Sequence, residues 1–139
     1  MAKNNLNQWS LALLRVILGF VFAYHGYLKL FAPGAFAGTV NFFISIGIPL
    51  ATYSALLVAV VEFAGGLFLI LGLLTRWSSI LLLIDMLVAF FKVHLKNGFL
   101  VGKGGYELVI VLIAGLVVVL ASGAGKLALG KMLKNKIFK

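Results

Sequence analysis

Two of the three acids in this chain and both of its histidines have the residue types and positions best suited to chemistry. Glu62 is the only ionisable residue between positions 56 and 74, Asp85 lies in a similar apolar stretch, and His25 and His94 lie towards the ends of two others. Carboxyl and imidazole groups exchange protons, and ionisable side chains inside a membrane usually mark a proton or substrate pathway. We therefore take these four residues as candidate proton-relay or ligand-contacting groups.

The composition predicts that these residues lie in a membrane protein. The 139 residues are 63% hydrophobic and 11% charged, whereas soluble proteins contain about 25% charged residues. Four stretches approach the roughly 20 apolar residues that span a bilayer. We predict an all-α, integral membrane four-helix bundle that forms a single domain over residues 1–139. Its helices are expected at about 10–31, 51–74, 77–95 and 106–123.

The ends of the first two stretches predict a further, shorter helix. Pro33 follows the first stretch and cannot continue its hydrogen bonds, while Pro49 suits the start of the second. The segment between them, AFAGTVNFFISIGI, is too short to span, so we expect an interfacial or re-entrant helix. The first stretch exceeds the about 7 to 15 apolar residues of a signal peptide, so we expect it to remain in the mature protein.

Helical spacing places the polar groups on inward-facing stripes. Arg15 shares a stripe with two glycines, Glu62 shares one with small residues, and Asp85 shares one with Ser78. By helical rise, Arg15 lies about 8 Å, Asp85 about 12 Å and Glu62 about 16 Å from the same membrane face. We predict that Arg15 pairs with Glu62, Asp85 or both. The alternative to a chemical role is an inert polar clasp that fixes the helix register. The three stripes are Arg15, Gly19, Phe22, Gly26 and Lys29; Ala55, Ala59, Glu62 and Gly66; and Ser78, Asp85, Ala89 and Lys92.

A second group of polar residues collects at the opposite end of the predicted bundle. His25 and Lys29 are one helical turn apart, and residues 92–107 bring further lysines, His94 and Glu107 to the same side. Glycines at 98, 102, 104 and 105 permit a tight loop over the mouth of the bundle. Glu107 also suits a helix start on electrostatic grounds alone.

The basic residues predict the orientation. Seven lysines and arginines flank the helices on the side of both termini and four on the other side, so we expect both termini in the cytoplasm. The tail at 126–139 mixes basic and apolar residues and is expected to lie on anionic lipid. Since this bias accounts for the net charge of +9, we expect no nucleic-acid partner. The chain has no cysteine, which excludes disulfides and thiolate metal sites.

An ordered set of short motifs resembles the DoxX family of small four-helix membrane proteins, over residues 11 to 123. Members of that family are linked to quinone chemistry, either as subunits of quinone-linked oxidoreductases or in defence against quinones, catechols and oxidative stress. The resemblance implies a quinone-related membrane role for this chain. The motifs are Arg15-x3-Gly19-x2-Phe22-x3-Gly26-x2-Lys29, Glu62-x2-Gly65-Gly66-x5-Gly72-x2-Thr75, His94-x3-Gly98-Phe99 and Gly105-x-Glu107.

A quinone site needs an apolar slot, hydrogen-bond donors for the carbonyl oxygens and a proton path. We expect His25 and His94 to supply donors or proton relays, while Glu62 and Asp85 pass protons deeper in the membrane. No flavin, nicotinamide or phosphate-binding motif is present, so electrons would come from a partner redox protein, and the chain would be an oxidoreductase subunit. The other expected binding residues are Arg15, Lys29, Glu107, Phe22, Tyr24, Phe99 and Tyr106.

Three alternatives stay open at this point. The chain could be a non-enzymatic membrane scaffold or assembly subunit, or a small proton-linked transporter that dimerises to form a pathway. Ligation of a haem by His25 and His94 is the third, since helical bundles support it. We disfavour the haem because Lys29, Lys92 and Lys96 crowd the site and His94 is expected about half a turn from the face of Asp85.

Overall fold

The described part of the chain is built from helices. A computed structural model describes the backbone of residues 2–132 and the side chains of residues 5–130. The all-α prediction is confirmed. The α-helices are α1 (Ala2–Phe31), α2 (Ala35–Ser45), α3 (Ala51–Leu71), α4 (Thr75–Ala89), α5 (Glu107–Ser122) and α6 (Leu129–Met132). A π-helical turn at Phe90–His94 and 3-10 turns at Leu95–Asn97 and Val101–Lys103 connect α4 to α5.

Among the described residues, three helices are long and apolar enough to cross a membrane, and they cover Asn5–Phe31, Ala51–Leu71 and Thr75–Asn97. The apolar helix α5 has 16 residues, fewer than the roughly 20 of a typical span. A fourth span, and with it the four-helix membrane bundle, stays a prediction. The interfacial or re-entrant placement of α2 and the single-domain organisation are also predictions.

The helix ends differ from the predicted ones where local backbone geometry decides them. Gly72 adopts a left-handed conformation (φ 70°) and ends α3, and the amide of Leu73 then donates to the carbonyl of Phe68 (2.9 Å). This is the hydrogen-bond pattern of a glycine-terminated helix. Helix α4, which corresponds to the third predicted span, accordingly begins at Thr75 and forms a tight hairpin with α3. The first helix starts at Ala2, earlier than the predicted residue 10.

Helices α1 and α3 pack with their backbones almost in contact. A β-carbon on Gly66 would lie 2.6 Å from the carbonyl oxygen of Gly19, and one on Gly26 would lie 2.7 Å from the α-carbon of Phe63. Small residues permit such an approach between membrane helices, where packing rather than water exclusion holds helices together. The predicted small stripe on α3 is buried as expected, with Ala55 and Ala59 fully enclosed.

The remaining contacts complete the packing around a common core. Helix α3 also packs on α4, α4 packs on α5, and α5 packs back on α1. Helix α2 lies against α1 and α3. The buried members of this core cluster come from all four longer helices and are Leu18, Phe22, Leu69, Leu82, Met86, Val109, Leu116 and Val119.

We predict that Gly66→Ala destabilises the protein strongly. The added methyl group meets backbone atoms of Gly19 and Ala23, which cannot move without separating α1 from α3. Overpacking of this kind costs about 1 to 3 kcal/mol or more, so the thermal midpoint in detergent should fall by roughly 5 °C or more. Gly38→Ala is the matched control, since a β-carbon there meets no described atom within 4 Å. Equal midpoints for the two variants would contradict the close packing.

Candidate functional site

A cavity of about 1010 Å³ lies between the helices, in the half of the molecule where α1 ends and α3 begins. Its walls come from α1, α2, α3, α4, the π turn and α5. Most lining residues are apolar, but six ionisable side chains reach it. These are His25, Lys29, Glu62, Asp85, Lys92 and His94.

Lys29 and Glu62 form an ion pair at the cavity wall. The Lys29 ammonium group donates to Oε2 of Glu62, and the two side chains are 26% and 5% exposed. The contact between α1 and α3 fixes this pairing, because Gly26 faces Phe63 and so brings Lys29 within one turn of Glu62. A buried carboxylate needs such a partner, since desolvation of an isolated charge is costly.

Asp85 lies beside the ion pair and interacts electrostatically with both Glu62 and Lys29. Its Oδ2 atom is buried and has no hydrogen-bond partner among the described residues. The cluster thus contains two carboxyl groups and one ammonium group. It is electrically neutral when it also holds one proton, and it carries one negative charge without it. A cluster of this composition can accept or release a proton at the cavity wall.

The two histidines at the cavity make different contacts. Nδ1 of His94 lies 2.7 Å from the carbonyl oxygen of Gly104. Because a carbonyl only accepts, Nδ1 carries the proton, and in the neutral ring Nε2 is left as an acceptor. His25 is exposed and its ring meets Tyr24 edge-on, with 6.4 Å between ring centroids. Both rings can therefore exchange protons with a molecule in the cavity.

The π turn explains why His94 shares the cavity with Asp85. A regular α-helix would place His94 about half a turn away from the inward face, as the sequence predicted. The π turn at Phe90–His94 holds more residues per turn and so rotates the helix face back towards Asp85. Lys92 also lines the cavity, in agreement with its place on the predicted stripe of Asp85, although it was not among the predicted site residues.

Glu107 lies outside the cavity lining formed by the described residues. Its Oε2 accepts a hydrogen bond from the amide of Val101 (2.9 Å), and the amide of Glu107 donates to the carbonyl of Phe99 (2.9 Å). The Asn97 amide group also binds the Gly104 carbonyl oxygen (3.2 Å). In this structure Glu107 holds the loop between α4 and α5 in shape.

Of the four predicted aromatic residues, only Phe22 lines the cavity. Tyr24 and Phe99 are exposed (54% and 55%), and Tyr106 packs between the rings of Phe90 and Phe99. None of these three tyrosine and phenylalanine side chains belongs to the lining that the described residues form. The helix carrying Tyr24 turns it away from the stripe of Phe22, and Tyr106 precedes α5 in the loop.

The predicted pairing of Arg15 with Glu62 or Asp85 is wrong. Arg15 is fully buried at the other end of α3, and its guanidinium group donates to the carbonyl oxygens of Leu69 and Ile70 (3.0 Å for Ile70). It also reaches the carbonyl of Leu127 (3.2 Å). Leu69 and Ile70 belong to the last turn of α3, where the helix dipole favours a cation. Arg15 therefore has no part in the cavity.

The physical reason for the error is the register of α1 on α3. Gly19 faces Gly66 and Ile70, so Arg15, one turn earlier, lies beyond the last turn of α3. Glu62 is level with Gly26, about 16 Å further along α1 at the helical rise.

The first residues of the basic tail, Lys126 and Leu127, accept hydrogen bonds from Arg15. The amide of Lys126 donates to the carbonyl of Gln8 (3.2 Å), that of Gly130 donates to Gly72 (3.3 Å), and Ala128 is buried. The first residues of the segment predicted to lie on lipid thus pack against α1 and α3. Residues 133–139 of the predicted tail lie outside the described residues.

Residues 10–95 match the sequence model of the family described as DoxX. The chain belongs to the DoxX family. This match confirms the resemblance seen in the motifs and covers α1 to α4 together with the π turn. It includes each of the six ionisable residues at the cavity.

Relatives of this DoxX protein occur in several bacteria. A Bacillus subtilis (strain 168) protein named "Putative oxidoreductase CatD" is 35% identical over 100 residues, 72% of this chain and 70% of that protein. "Uncharacterized membrane protein Rv3486" of Mycobacterium tuberculosis is 34% identical over 137 residues, covering 91% and 83% of the two chains. A Haemophilus influenzae protein is 32% identical over 143 residues, 98% of each chain. No solved structure matches the chain.

We predict that Arg15→Met loosens the segment from Gly123 to Gly130. The substitution removes charge-assisted hydrogen bonds to the carbonyls of Lys126 and Leu127, each worth about 1.5 to 3 kcal/mol. Hydrogen exchange of the peptide containing Lys126 should accelerate by at least about tenfold, since 1.4 kcal/mol corresponds to a factor of ten. Arg76→Met, at an exposed arginine, is the control and should leave that peptide unchanged. Unchanged exchange in Arg15→Met would show that the apolar contacts of Ala128 suffice.

We predict that Lys29→Met and Glu62→Gln are coupled. Removing Lys29 leaves two carboxyl groups together with no cation, which should lower the free energy of unfolding by about 3 kcal/mol or more. The double variant Lys29→Met/Glu62→Gln should be more stable than Lys29→Met alone, because only one carboxyl group, that of Asp85, is then left without a cation. Thermal unfolding in detergent measures both, and Lys96→Met, at an exposed lysine, is the control. Additive effects of the two substitutions would show that the pair carries no coupling energy.

Proposed function

We propose that this DoxX protein is a membrane subunit of quinone-linked electron transfer or of quinone and oxidative-stress detoxification, and that the cavity binds the quinone head. The observation that carries the proposal is the convergence of six ionisable side chains on one large cavity in a membrane protein. An apolar cavity with a few converging polar groups is the usual form of a small-molecule site.

The polar groups match the needs of a quinone. Reduction of a quinone to a quinol takes up two electrons and two protons, one proton for each ring oxygen. Lys92 and His25 are exposed donors at the cavity, and Nε2 of His94 can accept a proton from a quinol. Asp85 and Glu62 both interact with the Lys29 ammonium group. Together the two carboxyl groups can hold the one proton that makes the cluster neutral.

The electrons must come from elsewhere. The sequence contains no flavin or nicotinamide fingerprint, so the proposal includes a redox-protein partner that supplies or accepts electrons. The name of the Bacillus subtilis relative, "Putative oxidoreductase CatD", supports a redox role. We place the protein in the cell membrane with several spans, α5 being the fourth, and with both termini on the cytoplasmic side, as the distribution of lysine and arginine favours.

A scaffold role is the second candidate, and the contacts of Arg15 favour it for one end of the molecule. Arg15 binds backbone carbonyls of α3 and of the segment before α6, which is a purely structural arrangement. If the Lys29–Glu62 pair serves the same purpose at the other end, the cavity needs no ligand. The two functions differ in whether the protein binds a quinone through its cavity residues.

The test is quinone binding to protein purified in mild detergent, with a tailless dimethoxy-methyl-benzoquinone as the probe. We expect the wild type to bind it and His94→Ala and Glu62→Gln to bind it roughly fivefold or more weakly, as the loss of one hydrogen bond of about 1 kcal/mol predicts. Lipid extraction and mass spectrometry of the same samples should detect a co-purified quinone that is depleted in both variants.

Glu107→Gln is the matched control for Glu62→Gln, because it changes a carboxylate outside the cavity lining of the described residues. Thermal midpoints show that each variant is folded before binding is compared. A folded wild type that neither binds the probe nor carries a quinone would contradict the proposal and favour the scaffold.

A further inference from the structure

One wall of the cavity belongs to α2, and this wall has a different chemistry from the polar end. The cavity-facing positions of α2 follow a helical stripe and continue into the connection to α3. They are small or apolar, apart from Thr39. The lining residues on this wall are Ala35, Gly38, Thr39, Phe42, Phe43 and Ile46.

The two hydroxyl groups near this wall already donate hydrogen bonds to backbone carbonyl oxygens. Thr39 Oγ1 donates to the carbonyl of Ala35 (2.9 Å), and Ser54 Oγ donates to the carbonyl of Pro49 (2.8 Å). Both bonds stay within a few residues along the chain and fasten the ends of α2 and α3. Neither hydroxyl has a proton left to offer a ligand, so this wall presents apolar surface to an occupant. The six ionisable groups lie on α1, α3, α4 and the π turn instead.

The size of the cavity bears on what can fill it. Sites for drug-sized ligands measure about 300 to 1,000 Å³, and a volume of about 1010 Å³ is at the top of that range. A single quinone ring at the ionisable groups would leave the α2 wall uncovered. An apolar wall continuous with a polar end is complementary to a ligand that has a polar head and an apolar tail.

We propose that the cavity binds a lipid-soluble quinone in one orientation, with the head at the ionisable groups and the apolar tail along α2 past Gly38. This inference rests on the proposed function and adds to it that the ligand class is a tailed quinone. Tail contact with the wall then contributes affinity in addition to the hydrogen bonds of the head, since each buried methylene is worth about 0.8 kcal/mol, a factor of about four.

Gly38 offers a substitution that tests the tail alone. A β-carbon there would meet no described atom within 4 Å, and its backbone is not in the left-handed region, so a larger side chain fits without strain. A leucine at this position occupies the space along the wall. Ala37 is exposed and is not among the lining residues, so Ala37→Leu places the same side chain on another face of α2.

The experiment compares the tailless benzoquinone with the same ring carrying a decyl tail, in wild type, Gly38→Leu and Ala37→Leu at one detergent concentration. Comparison among the variants at fixed detergent removes the effect of tail partitioning into micelles. We expect Gly38→Leu to bind the tailed quinone roughly fivefold or more weakly, since displacing one or two methylenes from the wall costs about fourfold each. Binding of the tailless ring should change by less than about twofold. Ala37→Leu should resemble wild type with both ligands.

If Gly38→Leu weakens the binding of both ligands equally, or weakens neither, the tail placement is overturned but the quinone function is not. Failure of the folded wild type to bind either ligand would overturn both. Decanoic acid serves as a further competitor. If decanoic acid displaces bound tailed quinone as effectively as added tailed quinone does, any alkyl chain fills the wall, and the proposed ligand class is wrong.

Discussion

The close backbone contact between α1 and α3 determines where the charged groups of Arg15, Lys29 and Glu62 lie. Gly19, Gly26 and Gly66 remove the side chains that would keep the two helices apart, and the helices then fit in a single register. Within a bilayer there is little water to expel between helices, so this fit is itself a main source of association. From it follow both the pairing of Lys29 with Glu62 and the position of Arg15 beyond the last turn of α3.

This register separates the polar interior into two regions with different chemistry. At one end, Arg15 binds carbonyl oxygens in the last turn of α3 and joins the segment before α6 to the bundle. The hydrogen bonds that its two terminal nitrogens make go to backbone atoms that do not titrate, so this region serves structure. At the other end, Lys29, Glu62 and Asp85 form a cluster with more carboxyl groups than ammonium groups, and it faces open space. Within the described residues, this second region combines a buried carboxyl group in excess of its cation with room for a ligand.

The cavity combines this cluster with an apolar wall that belongs to α2, a helix too short to span a bilayer. A fully polar cavity would suit a water-soluble substrate, and a fully apolar one would simply bind lipid. The combination suits a molecule that resides in the membrane and exchanges protons, which is the chemistry of a quinone. The DoxX family assignment and the name of the Bacillus subtilis relative agree with a redox role without specifying the substrate.

The sequence by itself determined the class of protein, the helices and the inward faces. Composition identified a membrane protein, and the spacing of Glu62 with Ala55, Ala59 and Gly66 identified a buried stripe, because helical periodicity is a local property of the chain. The residue types likewise identified His25, His94, Glu62 and Asp85 as candidates, and all four line one cavity. Their chemical roles stay predictions.

Only the tertiary structure decided which charges meet. Whether Glu62 pairs with Arg15 or Lys29 depends on the relative shift of two helices, and periodicity fixes the face of a helix but not its shift along a neighbour. The π turn at Phe90–His94 was equally hidden, and it rotates His94 towards the cavity, where a regular helix would not place it. The sequence also did not show that α2 forms a wall of the cavity. Its residues face this space only because the other five elements of the lining leave it open.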